Sequence, residues 1–135
     1  MSEATVMTIK GKKVVLKQEG AFGNHKTRVR GEIILPSDGE KYNDAHNIWN
    51  AMIDWKPGII IVCKGNADYV QCNKFAKEYL LVVTVRGGGH NIAGKCFAND
   101  AMLINLSEWC RVNVNPAKQI ANISPGSTLG DIDHC

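Results

Sequence analysis

The chain has 135 residues, of which 44% are hydrophobic, and a net charge of +3 at neutral pH. That length supports one domain with a real core, and no apolar run approaches the ~20 residues of a membrane helix, so no membrane partner is expected. The charge is modest, and its one cluster (Lys10, Lys12, Lys13 and Lys17) is too local for the basic stripe of a nucleic-acid binder. The N-terminus has no basic stretch leading into an apolar one, so no secretory signal is expected. The five cysteines contain no CxxC pair, and His134–Cys135 is the only adjacent His/Cys pair. They read as free thiols in a reducing, cytoplasmic setting, with no metal site.

In chain order, Val6 to Leu16 hold short apolar runs broken by Lys and Gly, and residues 20–26 are loop-like. Gly31 to Pro36 reads as a short extended segment closed by the proline, with Ser37-Asp38-Gly39 as a turn. Tyr42, Ala45, Trp49 and Met52 recur at helical spacing, and that helix is expected to stop before Pro57. Ile59 to Cys63 is a continuous β-branched run, as expected of a strand buried on both faces. Asn66 or Asp68 can cap the helix that follows, whose apolar face is Tyr69, Cys72, Phe75, Ala76 and Tyr79. Leu81 to Val85 is a second β-branched run. Strand, helix, strand in this order predicts a βαβ unit over Gly58–Val85 with the two runs as a parallel pair. Met102–Leu106, Val112–Val114 and Gln119–Ile123 read as further strands, with Asn115–Lys118 as a turn. Ser127 or Thr128 can start a final helix.

Directly after the second β-branched run comes Arg86-Gly87-Gly88-Gly89-His90-Asn91. Consecutive glycines after a buried strand serve either a tight turn or a close approach of main chain to ligand. In the second case successive N–H groups form a nest for a phosphate, with Arg86 adding charge. Neither the P-loop spacing nor the GxGxxG fingerprint is present. His90 is either a solvated loop histidine or a nucleophile or base held against a cofactor. The residues alone leave both alternatives open.

Val85 to Gly94 resembles the signature of the berberine-bridge-type oxidases, in the vanillyl-alcohol-oxidase superfamily with its p-cresol-methylhydroxylase-type FAD domain. The likeness extends to Tyr42, Trp49-Asn50, Asp54 and Pro57, to the Asp68–Glu78 helix, and to Ile104-Asn105-Leu106-Ser107, where Asn105 stands at an aspartate position. It also takes in Gly126 to His134, with Leu129 where tryptophan is common and Ser124-Pro125 where glycines stand, and it covers roughly Ile33 to Cys135. The resemblance implies an α+β fold. It consists of the first βαβ subdomain and the start of the second, with residues 1–56 as a lead-in and 57–135 as the N-terminal part of the FAD-binding domain, incomplete at the C-terminus. It implies FAD as cofactor, cradled by Arg86, Gly87, Gly88, Gly89, His90, Asn91 and Gly94. Gly126, Ser127, Thr128 and Asp131 would approach from a second loop facing the first, and His90 would be the covalent flavin link. No catalytic residue falls within this chain, since the substrate domain and catalytic base lie beyond it in the family. A small-molecule substrate is expected only where that domain is present.

The implied activity is transfer of hydride from a substrate C–H bond to flavin and then to O₂. The alternatives are a non-catalytic truncated product with weak or no flavin binding, and an unrelated α/β domain whose glycine loop holds another phosphate ligand. On the first reading the polypeptide alone is inactive and self-associating. The apolar surface expected to be exposed includes parts of Ile104–Leu106, Ile120–Ile123 and Leu129–Ile132.

Overall fold

The computed structural model describes residues 3–17, 29–46, 55–87 and 98–134. At its centre is a four-stranded sheet formed by β3 (Ile33–Ile34), β4 (Ile59–Val62), β5 (Val83–Arg86) and β6 (Met102–Asn105), in the order β3-β4-β6-β5. β4, β6 and β5 are parallel, and β3 is antiparallel on the edge of β4. Helix α2 (Asn66–Tyr79) joins β4 to β5, so the βαβ unit expected over Gly58–Val85 is present. The expected direct pairing of its two strands is corrected: β6 enters between them, with Ile104 level with Ile61 on one side and Val85 on the other. The fully apolar Met102–Ile104 segment is buried on both faces, which a central position requires and an edge does not.

The two faces of the sheet carry separate cores. Ile59, Ile61, Met102 and Ile104 face α2 through Cys72, Phe75 and Ala76. These are the central residues of the helix face read from spacing, with Tyr69 and Tyr79 packed at its margin. Ile60, Val62 and Leu103 face the other way, onto Ile34 and onto Tyr42 and Ala45 of α1 (Glu40–His46). The Tyr42 hydroxyl donates to the Pro57 carbonyl oxygen at 2.6 Å, tying α1 to the start of β4. The remainder of the predicted Tyr42–Met52 helix lies outside the described residues. The turn expected at 37–39 is a short 3₁₀ turn, Pro36–Asp38, in which the Asp38 carboxylate accepts the Leu35 N–H at 2.7 Å.

The broken apolar runs near the N-terminus form an antiparallel hairpin, β1 (Glu3–Met7) with β2 (Lys13–Lys17). Ala4, Val6 and Leu16 enter the α2-side core. The Met7 N–H donates to Asp100 O, and the Val82 N–H to Met7 O, so the hairpin closes the N-terminal ends of β6 and β5. Among the described residues, the C-terminal ends lead into the Gly87 and Leu106–Trp109 segments. Beyond β6, β7 (Val112–Asn115) and β8 (Ile120–Ile123) form a separate antiparallel hairpin, with the expected turn between them, followed by α3 (Leu129–Asp133).

Two further expectations are corrected. Ile104 and Leu106 are buried, because β6 is the middle of the sheet, whereas Ile120, Ile123 and Leu129 are exposed. The residue capping α2 is Gly65, not Asn66 or Asp68. Asp68 lies inside the first turn, 1% exposed, where its two carboxylate oxygens accept the backbone N–H groups of Arg30 and Lys64, each at 2.9 Å. One carboxylate thereby fastens the β4–α2 turn to the segment leading into β3, and its charge sits at the positive end of the helix. Asp68→Ala is expected to lower unfolding stability by about 3 kcal/mol, since charge-assisted bonds to two amides are lost together. Urea denaturation of the variant against wild type measures this, and an unchanged midpoint contradicts the clamp.

Candidate functional site

Three chain segments meet at the C-terminal edge of the parallel strands, the edge at which open α/β sheets bind ligands. The first leaves β5 at Arg86–Gly87. The second leaves β6 at Asn105–Trp109. The third is the β8–α3 turn, Ser124–Thr128. The Leu106 N–H donates to Arg86 O at 2.8 Å, continuing the ladder to the last residue before the glycines. The Asn105 side-chain oxygen accepts the Ser107 N–H at 3.0 Å and turns the chain out of the sheet. The Gly126 N–H then donates to Trp109 O at 3.0 Å, docking the third segment on the second.

The glycines at this junction have measurable reasons to be glycine. A Cβ on Gly126 would lie 1.9 Å from Leu106 O and 2.8 Å from Trp109 O, and one on Gly87 would lie 2.7 Å from Pro125 O. The two loops singled out in the sequence therefore touch, Gly87 against the Pro125 carbonyl, with no room for a side chain on Gly87. In each contact the glycine's missing side chain allows main chain to meet main chain. The structure thus brings together Arg86, Gly87, Gly126 and the residues after it. Gly88, Gly89, His90, Asn91 and Gly94 lie outside the described residues.

The two loops differ in what they can offer an anion. In the second, the Gly126 and Ser127 N–H groups are bonded to Trp109 O and Ser124 O. The Thr128 N–H donates to the Asp131 carboxylate at 2.7 Å, and the Asp131 N–H returns to Thr128 through its hydroxyl at 3.3 Å and its carbonyl oxygen at 3.1 Å. Thr128 and Asp131 form a reciprocal cap on α3. Donation from the Thr128 backbone, then from its hydroxyl, holds the Asp131 carboxyl below the usual carboxylate range. The cap is thus intact above the ordinary aspartate pKa and fails as pH falls through the lowered value. This loop's donors are committed internally, and what it presents is shape.

Arg86 was expected to lend its charge to the loop. Its Nη1 donates to Ala45 O, in the last turn of α1, at 2.8 Å. Cations are favourable at helix C-termini, so Arg86 braces β5 against α1. The same edge of the sheet carries a cavity of about 530 Å³ lined by Arg30, Gly31, Glu32, Ile33, Lys64 and Glu108. No motif marks these residues in the sequence, because they come from three separate strand ends.

The edge at which β4, β6 and β5 finish thus carries Gly87 at the end of β5 and, packed against it, the Ser124–Thr128 turn. Known proteins agree with that geometry. Residues 57–135 match the sequence profile of the FAD binding domain. The chain is 32% identical over 107 residues to the uncharacterized FAD-linked oxidoreductase YgaK of Bacillus subtilis, covering 79% of this chain and 24% of that protein. Its fold matches the crystal structure of 6-hydroxy-D-nicotine oxidase from Arthrobacter nicotinovorans with a TM-score of 0.72 and 27% identity, over 77% of this chain and 23% of that one. It matches berberine bridge enzyme with a TM-score of 0.66 and 21% identity, over 82% and 24%. The chain belongs to the FAD-binding domain family of the FAD-linked oxidoreductases, and its cofactor is FAD. It spans about a quarter of the length of the relatives it matches.

The close approach at Gly126 is a direct test of the docked loops. Gly126→Ala is expected to destabilise the fold by about 2–3 kcal/mol, because the new Cβ meets rigid backbone. Gly130→Ala, whose Cβ would meet only the Thr128 hydroxyl at 3.6 Å inside α3, is expected to be neutral or slightly stabilising. Urea midpoints of the two variants measure the contrast, and equal effects contradict the packing role of Gly126.

Proposed function

We propose that this chain supplies the pyrophosphate-binding edge of an FAD-dependent oxidase, with Arg86–Gly94 as the donor loop and Gly126–Asp131 as its wall. The observation that carries the reading is the contact of Gly87 with Pro125, which brings the first glycine after β5 and the second loop to one edge of the sheet. With the Gly126–Thr128 amides already engaged, the anion donors are assigned to the backbone of Gly87, Gly88, Gly89, His90 and Asn91, with Gly94 continuing the cradle. Arg86, whose Nη1 anchors the first residue of this loop to α1, is proposed to add its charge to the cradle.

Bound FAD supplies hydride acceptance from a substrate C–H bond and reoxidation by O₂. His90 is the residue proposed to join the flavin covalently, which requires its imidazole neutral and nucleophilic when the ring is placed beside it. Substrate recognition and proton removal are assigned to parts of the relatives that this chain does not span, so the 135 residues alone are expected to consume no oxygen. The partners proposed are FAD and, in the longer protein, a small-molecule substrate, with no nucleic acid. The unpaired thiols of Cys63, Cys72 and Cys110 suit a reducing compartment such as the cytoplasm.

Denaturing electrophoresis read by flavin fluorescence tests the link, on a polypeptide carrying these residues at the length of its relatives. The wild-type band is expected to fluoresce and the His90→Ala band to be dark. Fluorescence that stays with the His90→Ala band removes His90 from the role.

A further inference from the structure

Two cysteines play no part in the cofactor edge and lie against each other in the core. Cys63 follows β4 directly, and its N–H donates to Asn105 O at 2.9 Å, so its backbone is held by the sheet. Cys72 sits in the middle of α2, on the face turned to that sheet. Both are 0% exposed, and their sulfurs are 3.6 Å apart. A disulfide needs sulfurs at roughly 2.05 Å, so the pair stands in contact and one short approach from bonding.

We propose that Cys63 and Cys72 form a reversible dithiol–disulfide couple, a modification site that pins the end of β4 to the middle of α2. The oxidant is hydrogen peroxide. One cysteine, reacting as its thiolate, attacks a peroxide oxygen; the O–O bond breaks, the sulfur becomes a sulfenic acid, and the first water leaves. The second sulfur attacks the sulfenic sulfur, the S–O bond breaks, the S–S bond forms, and the second water leaves. The two thiols together give up two electrons and two protons, and the peroxide is reduced to two waters.

The geometry sets the character of the couple. The sulfenic acid meets its partner sulfur at contact distance, before any solution thiol can reach it, so closure within the pair outruns mixed-disulfide formation. The contact with the Cys63 sulfur, and burial after it, push the Cys72 thiol up, which keeps this residue in its neutral form in the closed core. Oxidation is therefore slower than at an exposed thiol. The product is also shielded from bulky reductants. Cys110, exposed on the loop after β6, serves as a reference thiol within the same chain.

The experiment treats the purified chain with hydrogen peroxide, alkylates it under denaturing conditions, digests it without reduction and reads the peptides by mass spectrometry. The expected result is a peptide joining Cys63 to Cys72, lighter by two hydrogens than the reduced pair, that disappears on treatment with a thiol reductant. The oxidised chain is expected to melt at a higher temperature, because the cross-link restricts the unfolded chain, and Cys72→Ala is expected to remove both the link and the rise. If that variant does not fold, the wild-type digest still decides the matter. Recovery of both cysteines as alkylated thiols after exposure continued well past complete oxidation of Cys110, or linkage of Cys63 to another cysteine, overturns the proposal. A link without a rise in Tm overturns the pinning.

Discussion

The main-chain ladder of Met102–Asn105 is bonded to β4 on one side and to β5 on the other, and it sets the height of everything at the candidate site. It places Asn105 level with Val62 and Arg86, so all three parallel strands finish at one edge. Leu106 then extends the ladder to Arg86 O, and Leu106 O becomes the surface on which Gly126 lies. With β6 on an outer edge instead, the glycine turn and the β8–α3 turn would not meet. The apolar Met102–Ile104 segment favours the central position because each residue buries its side chain on one face or the other, at about 25 cal/mol per Å² of apolar surface.

The opposite ends of those strands are closed by the β1–β2 hairpin through Met7, Thr8 and Ile9, paired with residues around Leu81 and Asp100. One end of the sheet is thus covered by backbone pairing, and the other leads into loops. Asp68 strengthens that second end, because its carboxylate fixes the turn between β4 and α2 from inside the core. Rigid strands under short, small-residue turns are the arrangement by which a scaffold positions a binding loop.

Local pattern in the sequence is sufficient for most elements from β3 onward. The β-branched run at 59–63 and the helical spacing of Cys72, Phe75 and Ala76 reflect burial that each segment requires whatever lies next to it, whereas the run at 81–85 forms an edge strand that is only partly buried, with Val85 exposed. What could not be read was which strand lies beside which. The insertion of β6 between β4 and β5 depends on pairing over long sequence separations, and no local period encodes it. The same limit explains the misplacement of Ile104–Leu106 at an exposed surface, and the absence of any reading for the hairpin, whose alternation at Ala4 and Val6 is short. The second loop was found by family likeness, but its glycine was assigned to ligand contact alone. The 1.9 Å approach to Leu106 O shows a packing requirement that sequence spacing cannot reveal. Arg86 is a similar case, since its partner at Ala45 is set by the fold and not by the adjoining glycines.

Division of labour at the edge follows from these contacts. One loop has its amides consumed by its own turn and cap, and is the wall of the proposed site. The other begins at a residue braced from behind by α1 and leads directly into the glycines. The central claim, that FAD meets this chain at the C-terminal edge of β5 and β6, is tested most directly by amide NMR shifts of the isotopically labelled chain during titration with FAD. The account predicts that shifts concentrate at Gly87–Gly94 and Gly126–Asp131, and leave the β1–β2 hairpin and Gly58 unchanged. Shifts centred on the hairpin end of the sheet, or none at saturating FAD, would contradict it.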